Sequence, residues 1–138
     1  MFGNKAFAAV AVVGLLGVAG CATTGSAPVK FSGGVLVNSA GMTLYTFDKD
    51  PAGAGKSVCN GPPCTVTWSP LKASAEDKAG GDYIIIKRDD GSLQWAHKGK
   101  PLYLHNKDQK PGDKTGDGFS NNIWHAVKEE SQPMWSSY

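Results

Sequence analysis

Apolar residues occur along most of this chain in short runs broken by Gly, Pro, Asn and Asp, and one long apolar run stands apart near the start. The short runs alternate or are filled completely, without a helical period, which is the pattern of β-strands. Val35-Leu36-Val37, the turn Asn38-Ser39-Ala40-Gly41 and the run from Met42 to Phe47 predict a hairpin. On its second arm Met42, Leu44 and Thr46 point one way and Thr43, Tyr45 and Phe47 the other, so that arm is expected to be covered on both faces. Pro51 ends it, because proline cannot donate to a ladder. Thr65 to Trp68 resumes strand character until Ser69-Pro70, and residues 72–81 read as a short helical turn or a surface linker. Tyr83 to Arg88, Ser92 to Ala96 and Leu102 to Asn106 predict a meander with turns at Asp89-Asp90-Gly91 and His97-Lys98-Gly99-Lys100. A Gly/Pro-rich loop, Gln109 to Asn122, leads to a last strand from Ile123 to Val127.

The elements come twice. Gly41 to Asp50 and Gly99 to Asp108 match at five of ten positions at an offset of 58. At the same offset Gly33 meets Gly91, Val35 meets Leu93, Val37 meets Trp95 and Lys56-Ser57 meets Lys114-Thr115, while Trp68 and Trp124 align after a two-residue gap. A repeat of this extent implies one structural unit used twice. Units this small cannot each bury a core. The expectation is therefore an all-β fold, two tandem repeats of short antiparallel strands packed pseudo-symmetrically as one small sandwich or barrel. Repeat one spans about 34–71 and repeat two about 83–128, within a domain covering 34–130. A polar tail follows at 131–138, in which Met134, Trp135 and Tyr138 can cap an edge.

The long apolar run, Ala6 to Ala19, follows Lys5 and ends in Val18-Ala19-Gly20-Cys21. Charged, apolar and small-residue regions in that order form an export signal over residues 1–20, too short to span a bilayer. Small residues before a cysteine resemble the lipobox of bacterial lipoproteins, which implies that Cys21 is lipidated and anchors the chain; an ordinary signal with a nearby cysteine is the alternative. The aperiodic stretch 21–33 then reads as a flexible tether. Ala22, where an Asp would favour inner-membrane retention, points to the periplasmic side of the outer membrane in a Gram-negative host. Because Lys5 leaves with the signal, one fewer than the 14 Lys and Arg faces the 12 Asp and Glu. That balance gives no electrostatic case for nucleic acid. The expected partners are the membrane, through the anchor, and an envelope protein or small ligand.

With Cys21 assigned to lipid, Cys59 and Cys64 remain, in Cys-Asn-Gly-Pro-Pro-Cys. An oxidising compartment makes a disulfide the simplest reading. Two thiols binding Cu(I) are the rival, and a redox-active pair is disfavoured by the spacing and the prolines.

Tyr45-Thr46-Phe47-Asp48-Lys49-Asp50 fits the Tyr-x-(Phe/Trp/Tyr)-x-x-Asp motif of the bacterial lipoproteins described as a secreted repeat of unknown function, and the chain resembles that family from Val35 to Lys128. Its copy, Tyr103-Leu104-His105-Asn106-Lys107-Asp108, departs by placing His105 where an aromatic is expected. The resemblance implies a secreted or lipid-anchored repeat domain and supplies no reaction.

Candidate chemistry is of three kinds. His105 and His125 could share a metal ion, copper above all, if their strands pair, with Met42 as a further ligand; His97 lies too far along the hairpin from His105. Asp50 and Asp108 end equivalent strands, where carboxylates can bind Ca²⁺ or perform acid/base work, hydrolysis included, although capping of the following turn is the stronger reading. Asp113 to Gly118 lacks calcium-loop spacing. Tyr45, Phe47, Trp68, Trp95, Tyr103 and Trp124 can line a groove for a glycan or for haem, or form the core. With no nucleophile elbow, phosphate loop or zinc-hydrolase motif, the expectation is a non-enzymatic cell-envelope lipoprotein acting as a binding or structural module. The alternative is a periplasmic metal- or haem-binding protein using its strand histidines.

Overall fold

A computed structural model describes residues 27–131, together with Gly3 and Gly14. The remainder of the signal, Cys21 and the tail residues Met134, Trp135 and Tyr138 lie outside the described residues. The described chain runs β1 (Val29–Ser32), β2 (Val35–Asn38), β3 (Tyr45–Phe47), α1 (Cys64–Thr67), β4 (Trp68–Pro70), β5 (Lys72–Ala73), β6 (Tyr83–Lys87), β7 (Leu93–His97), β8 (Lys100–Pro101), β9 (Tyr103–His105), α2 (Phe119–Asn122) and β10 (Trp124–Ala126). All pairings are antiparallel.

The central sheet has the order β10-β3-β9-β4, and its register repeats about the β3–β9 contact. Tyr45 lies opposite Tyr103 at the centre. On one side Trp124 faces Phe47 and Ala126 faces Tyr45; on the other Trp68 faces His105 and Pro70 faces Tyr103. Each repeat thus contributes one inner and one outer strand, and the two motif strands are neighbours across a pseudo-twofold axis. The β1–β2 hairpin and the β5-β7-β6 sheet, with β8 on β7, form the outer layer of a sandwich.

Period-2 alternation divides the apolar residues between two cores. One face of the central sheet gathers Tyr45, Phe47, Trp68, Tyr103 and Trp124 with Cys59, Val35 and Val37. The other face packs Leu44, Leu102 and Leu71 against Leu36 and Trp95 from the outer layer. The two-sided covering expected of the motif strand is therefore present, with Leu44 in one core and Tyr45 in the other.

Several expectations are corrected. β1 pairs with β2 inside the stretch read as tether, because Val29-Lys30-Phe31-Ser32 continues the hairpin through the turn Gly33-Gly34. Of Thr65 to Trp68, read as strand, only Trp68 is in one; Thr65 to Thr67 belong to a single helical turn, Cys64–Thr67, whose first residue the disulfide closes. Of residues 72–81, Lys72–Ala73 forms β5 and the rest is the surface linker, with no helical turn. The outer hairpins align at an offset of 59, not 58: Leu36 donates to the Val127 carbonyl as Trp95 donates to that of Leu71, and Leu44 donates to Leu36 as Leu102 donates to Trp95. The first repeat has one more residue in the turn before Gly41, and Gly41 and Gly99, both at positive φ, restore the common register.

Candidate functional site

The motif residues meet across the repeat boundary. The Tyr45 hydroxyl donates to Asp108 Oδ2 at 2.6 Å, and that of Tyr103 donates to Asp50 Oδ2 at 2.6 Å. The tyrosine of each motif is thus held by the aspartate of the other. Each carboxylate also takes a loop amide on its second oxygen, Val58 N on Asp50 and Thr115 N on Asp108. The turn-capping role expected of these aspartates is present; the tyrosine bonds were not foreseen, because spacing within one motif does not reveal a partner in its copy.

Burial, with the carboxylate bonds, pushes both tyrosine hydroxyls above their ordinary value. Asp50 is also raised: burial outweighs the bonds from Tyr103 and Val58 and the nearby positive charge of Arg88. Arg88 is buried beside it and fully engaged, its two terminal nitrogens donating to Ser57 Oγ, Gln94 Oε1, the Cys59 carbonyl and Asn60 Oδ1. Ser57 in turn donates to the Tyr103 oxygen, whose own proton is on Asp50. Nothing in the hydrophobic pattern marked Arg88 as internal; the chain's single arginine, next to Lys87 at the end of a run of three isoleucines, was the available signal.

Around Asp108 the network fixes a tautomer. Thr115 Oγ1 donates to Asp108 Oδ1, so it accepts from His105 Nδ1–H at 3.0 Å. His105 Nε2 is left as a bare, buried lone pair. Burial holds this imidazole below its ordinary pKa, in the neutral form. The pairing required for a shared His105–His125 metal site is not formed. β3 separates β9 from β10, and His125 lies opposite Thr46, on the face away from Tyr45, whereas His105 shares the face of Tyr103. His125 Nε2 instead binds Asp48 Oδ2 at 2.9 Å, and Met42 sits in the β2–β3 turn, its backbone bonded to Asn38. Among the described residues no group of three or more His, Cys, Asp or Glu is placed to hold an ion.

Cys59 and Cys64 are joined in a disulfide. In the Asp113–Gly118 loop, Asp113 caps Gln109 and Lys110, and Asp117 accepts Ala126 N and the Lys128 ammonium, so both acids serve turn and strand ends. The six candidate groove aromatics are all buried. Outside the core, a cleft of about 550 Å³ lined by Asn60, Thr65, Lys72, Asp89, Asp90 and Ser92 among others opens between the disulfide loop and the β6–β7 turn. Arg88 braces it from behind, bonded to both Cys59 and Asn60.

The family described as a secreted repeat of unknown function matches twice, over residues 29–72 and 84–128, together more than half of the 138 residues. The chain belongs to this secreted-repeat family. The two matches coincide with the two halves of the central sheet, and the first begins at β1, where the structure begins the domain. In this member of the secreted-repeat family, the motif Tyr and Asp side chains join one repeat to the other. No curated protein and no solved structure matches the chain. No helix among the described residues is long and apolar enough to cross a membrane.

Proposed function

We propose that the chain is a non-enzymatic envelope lipoprotein, anchored through Cys21 on the periplasmic side of the outer membrane in a Gram-negative host, that binds a small hydrophilic ligand in the cleft beside the disulfide loop. The observation that carries the binding reading is the cleft itself, with one wall tied by a disulfide and both walls linked through the buried Arg88. Preorganised walls reduce the ordering cost of binding. Its lining carries two cations, Lys72 and the buried Arg88, two carboxylates, Asp89 and Asp90, and the hydroxyl or amide groups of Asn60, Thr65 and Ser92, a balance of opposite charges that suits a zwitterionic or neutral polar molecule. The motif carboxylates favour a non-catalytic role, since each is occupied by a tyrosine and a loop amide.

Titration of the ¹⁵N-labelled chain with amino acids, muropeptides and simple sugars should move the amide resonances of Asn60, Thr65, Asp89 and Ser92. A panel that leaves these resonances in place overturns the binding reading. Cys21→Ser should abolish incorporation of labelled palmitate and release the protein from membranes; continued labelling would sink the anchor assignment.

A further inference from the structure

Four rings form a column through the aromatic core. His105 lies against Trp68 with centroids 4.3 Å apart, Trp68 stacks on Trp124 at 3.8 Å and 4° from parallel, and Trp124 stacks on Phe47 at 4.1 Å. The pseudo-twofold passes between the indoles, and on each side a tyrosine stands edge-on: Tyr45 to Trp68 at 5.3 Å, Tyr103 to Trp124 at 5.1 Å. Packing alone needs no hydroxyl at these two positions. Yet each phenol donates its proton at 2.6 Å to a carboxylate from the opposite repeat. Indole and phenol are the side chains most readily oxidised by one electron. A phenol yields its electron most easily when a base within hydrogen-bond reach takes the proton as the electron leaves. The indoles also have an outlet: with Cys64 and the exposed Phe119 they line a surface depression of about 210 Å³.

We infer that the core is a one-electron relay, in which an oxidant at the Phe119 surface takes an electron from the Trp68–Trp124 pair and Tyr45 or Tyr103 refills it. The oxidant belongs to the class of peroxyl radicals or high-valent haems and is reduced by one electron. The resulting indole radical cation recovers its electron from a tyrosine. That tyrosine loses its O–H proton to the hydrogen-bonded carboxylate, leaving a neutral tyrosyl radical beside a protonated Asp108 or Asp50. The electron leaves to the oxidant and the proton moves only the length of an existing hydrogen bond, so the one negative charge lost from the core is that of the carboxylate, which ends neutral. A one-electron reductant such as a quinol returns the electron, the proton goes back to the phenolate, and the relay is reset. This role is independent of the ligand cleft and uses none of its lining residues.

The test is photo-oxidation of the full-length chain with a ruthenium polypyridyl and a sacrificial electron acceptor, read by freeze-quenched EPR. Tyr83→Phe and Tyr138→Phe remove the other two of the chain's four tyrosines. In that background a neutral tyrosyl signal is expected, formed severalfold more slowly in D₂O. Adding Tyr45→Phe or Tyr103→Phe should lower its yield to roughly half, and adding both should abolish it. The absence of a tyrosyl signal in the Y83F/Y138F protein overturns the relay, and so does a formation rate indifferent to D₂O. Because the Y83F/Y138F protein keeps the whole core, the outcome does not depend on the core variants folding.

Discussion

At the scale of single residues, the exchanged Tyr–Asp bonds carry the sharpest consequences. A buried hydrogen bond to a charged partner is worth about 1.5–3 kcal/mol, more when its loss strands the charge. Tyr45→Phe and Tyr103→Phe should each lower the urea unfolding free energy by about that amount, although each residue belongs to a different repeat from the aspartate it satisfies. The raised Asp50 gives a signed pH dependence. A carboxyl that holds its proton more tightly when folded contributes most at pH below its ordinary value of 3.8, and that contribution is lost as pH rises through the raised pKa. Stability of the native chain should therefore fall, relative to Asp50→Asn, as pH is raised from about 3.5 into the mildly acidic range. Denaturant midpoints at four or five pH values read this directly, and parallel profiles would refute it. The tyrosines act at the other end of the scale: their stabilisation is complete below their ordinary value of 10.0 and is lost in alkali beyond it. Gly116 is a different kind of constraint, since a Cβ there would lie 2.6 Å from the Trp68 ring and 3.0 Å from that of Tyr45. Gly116→Ala should cost about 1–3 kcal/mol in thermal or urea unfolding, whereas Gly80→Ala, where a Cβ meets open space, should cost little.

At the scale of elements, hydrophobic pattern located most strands, because each short run ends at Gly, Pro or a charged turn. β6, β7 and β10 fall where Tyr83-Ile84-Ile85-Ile86, Gln94-Trp95-Ala96 and Trp124-His125-Ala126 place them. The misreadings share a cause, which is that tertiary context outweighs local preference in segments of four residues. Thr65-Val66-Thr67 is β-prone, yet the Cys59–Cys64 link and the need to deliver Trp68 into the ring column leave room for only one helical turn. β1 looked like tether because one of its faces is exposed and polar. The 58-residue offset was visible throughout, but a one-residue difference in a turn cannot be located until the hydrogen bonds on both sides of it are known. Because the disulfide loop is short, its reduction should cost less than the ~3 kcal/mol associated with a 15-residue loop. Mild reduction should accordingly lower the melting temperature while the cooperative transition persists; loss of that transition would mean the loop organises the whole aromatic core.

At the scale of the molecule, the two repeats are related as the subunits of a twofold dimer are: residue 45 of one binds residue 108 of the other, and 50 binds 103. The exposed connector between β5 and β6 is the only covalent bridge between these halves. Cutting it removes no motif contact. Residues 1–79 and 80–138, produced separately, should each be unfolded by circular dichroism, since neither can satisfy its own buried aspartate, and should regain a cooperative transition when mixed. Two independently folded fragments would contradict this. The same exchange makes the chain a fused homodimer whose halves have since become unlike. Phe47 and His105 now close opposite ends of the column, and only the second half supplies the Thr115–Asp108 anchor that orients the histidine. Each half holds the tyrosine and the aspartate of the other, while the column they share is closed by a phenyl ring at one end and an imidazole at the other, so the two ends of a symmetric frame carry different chemistry.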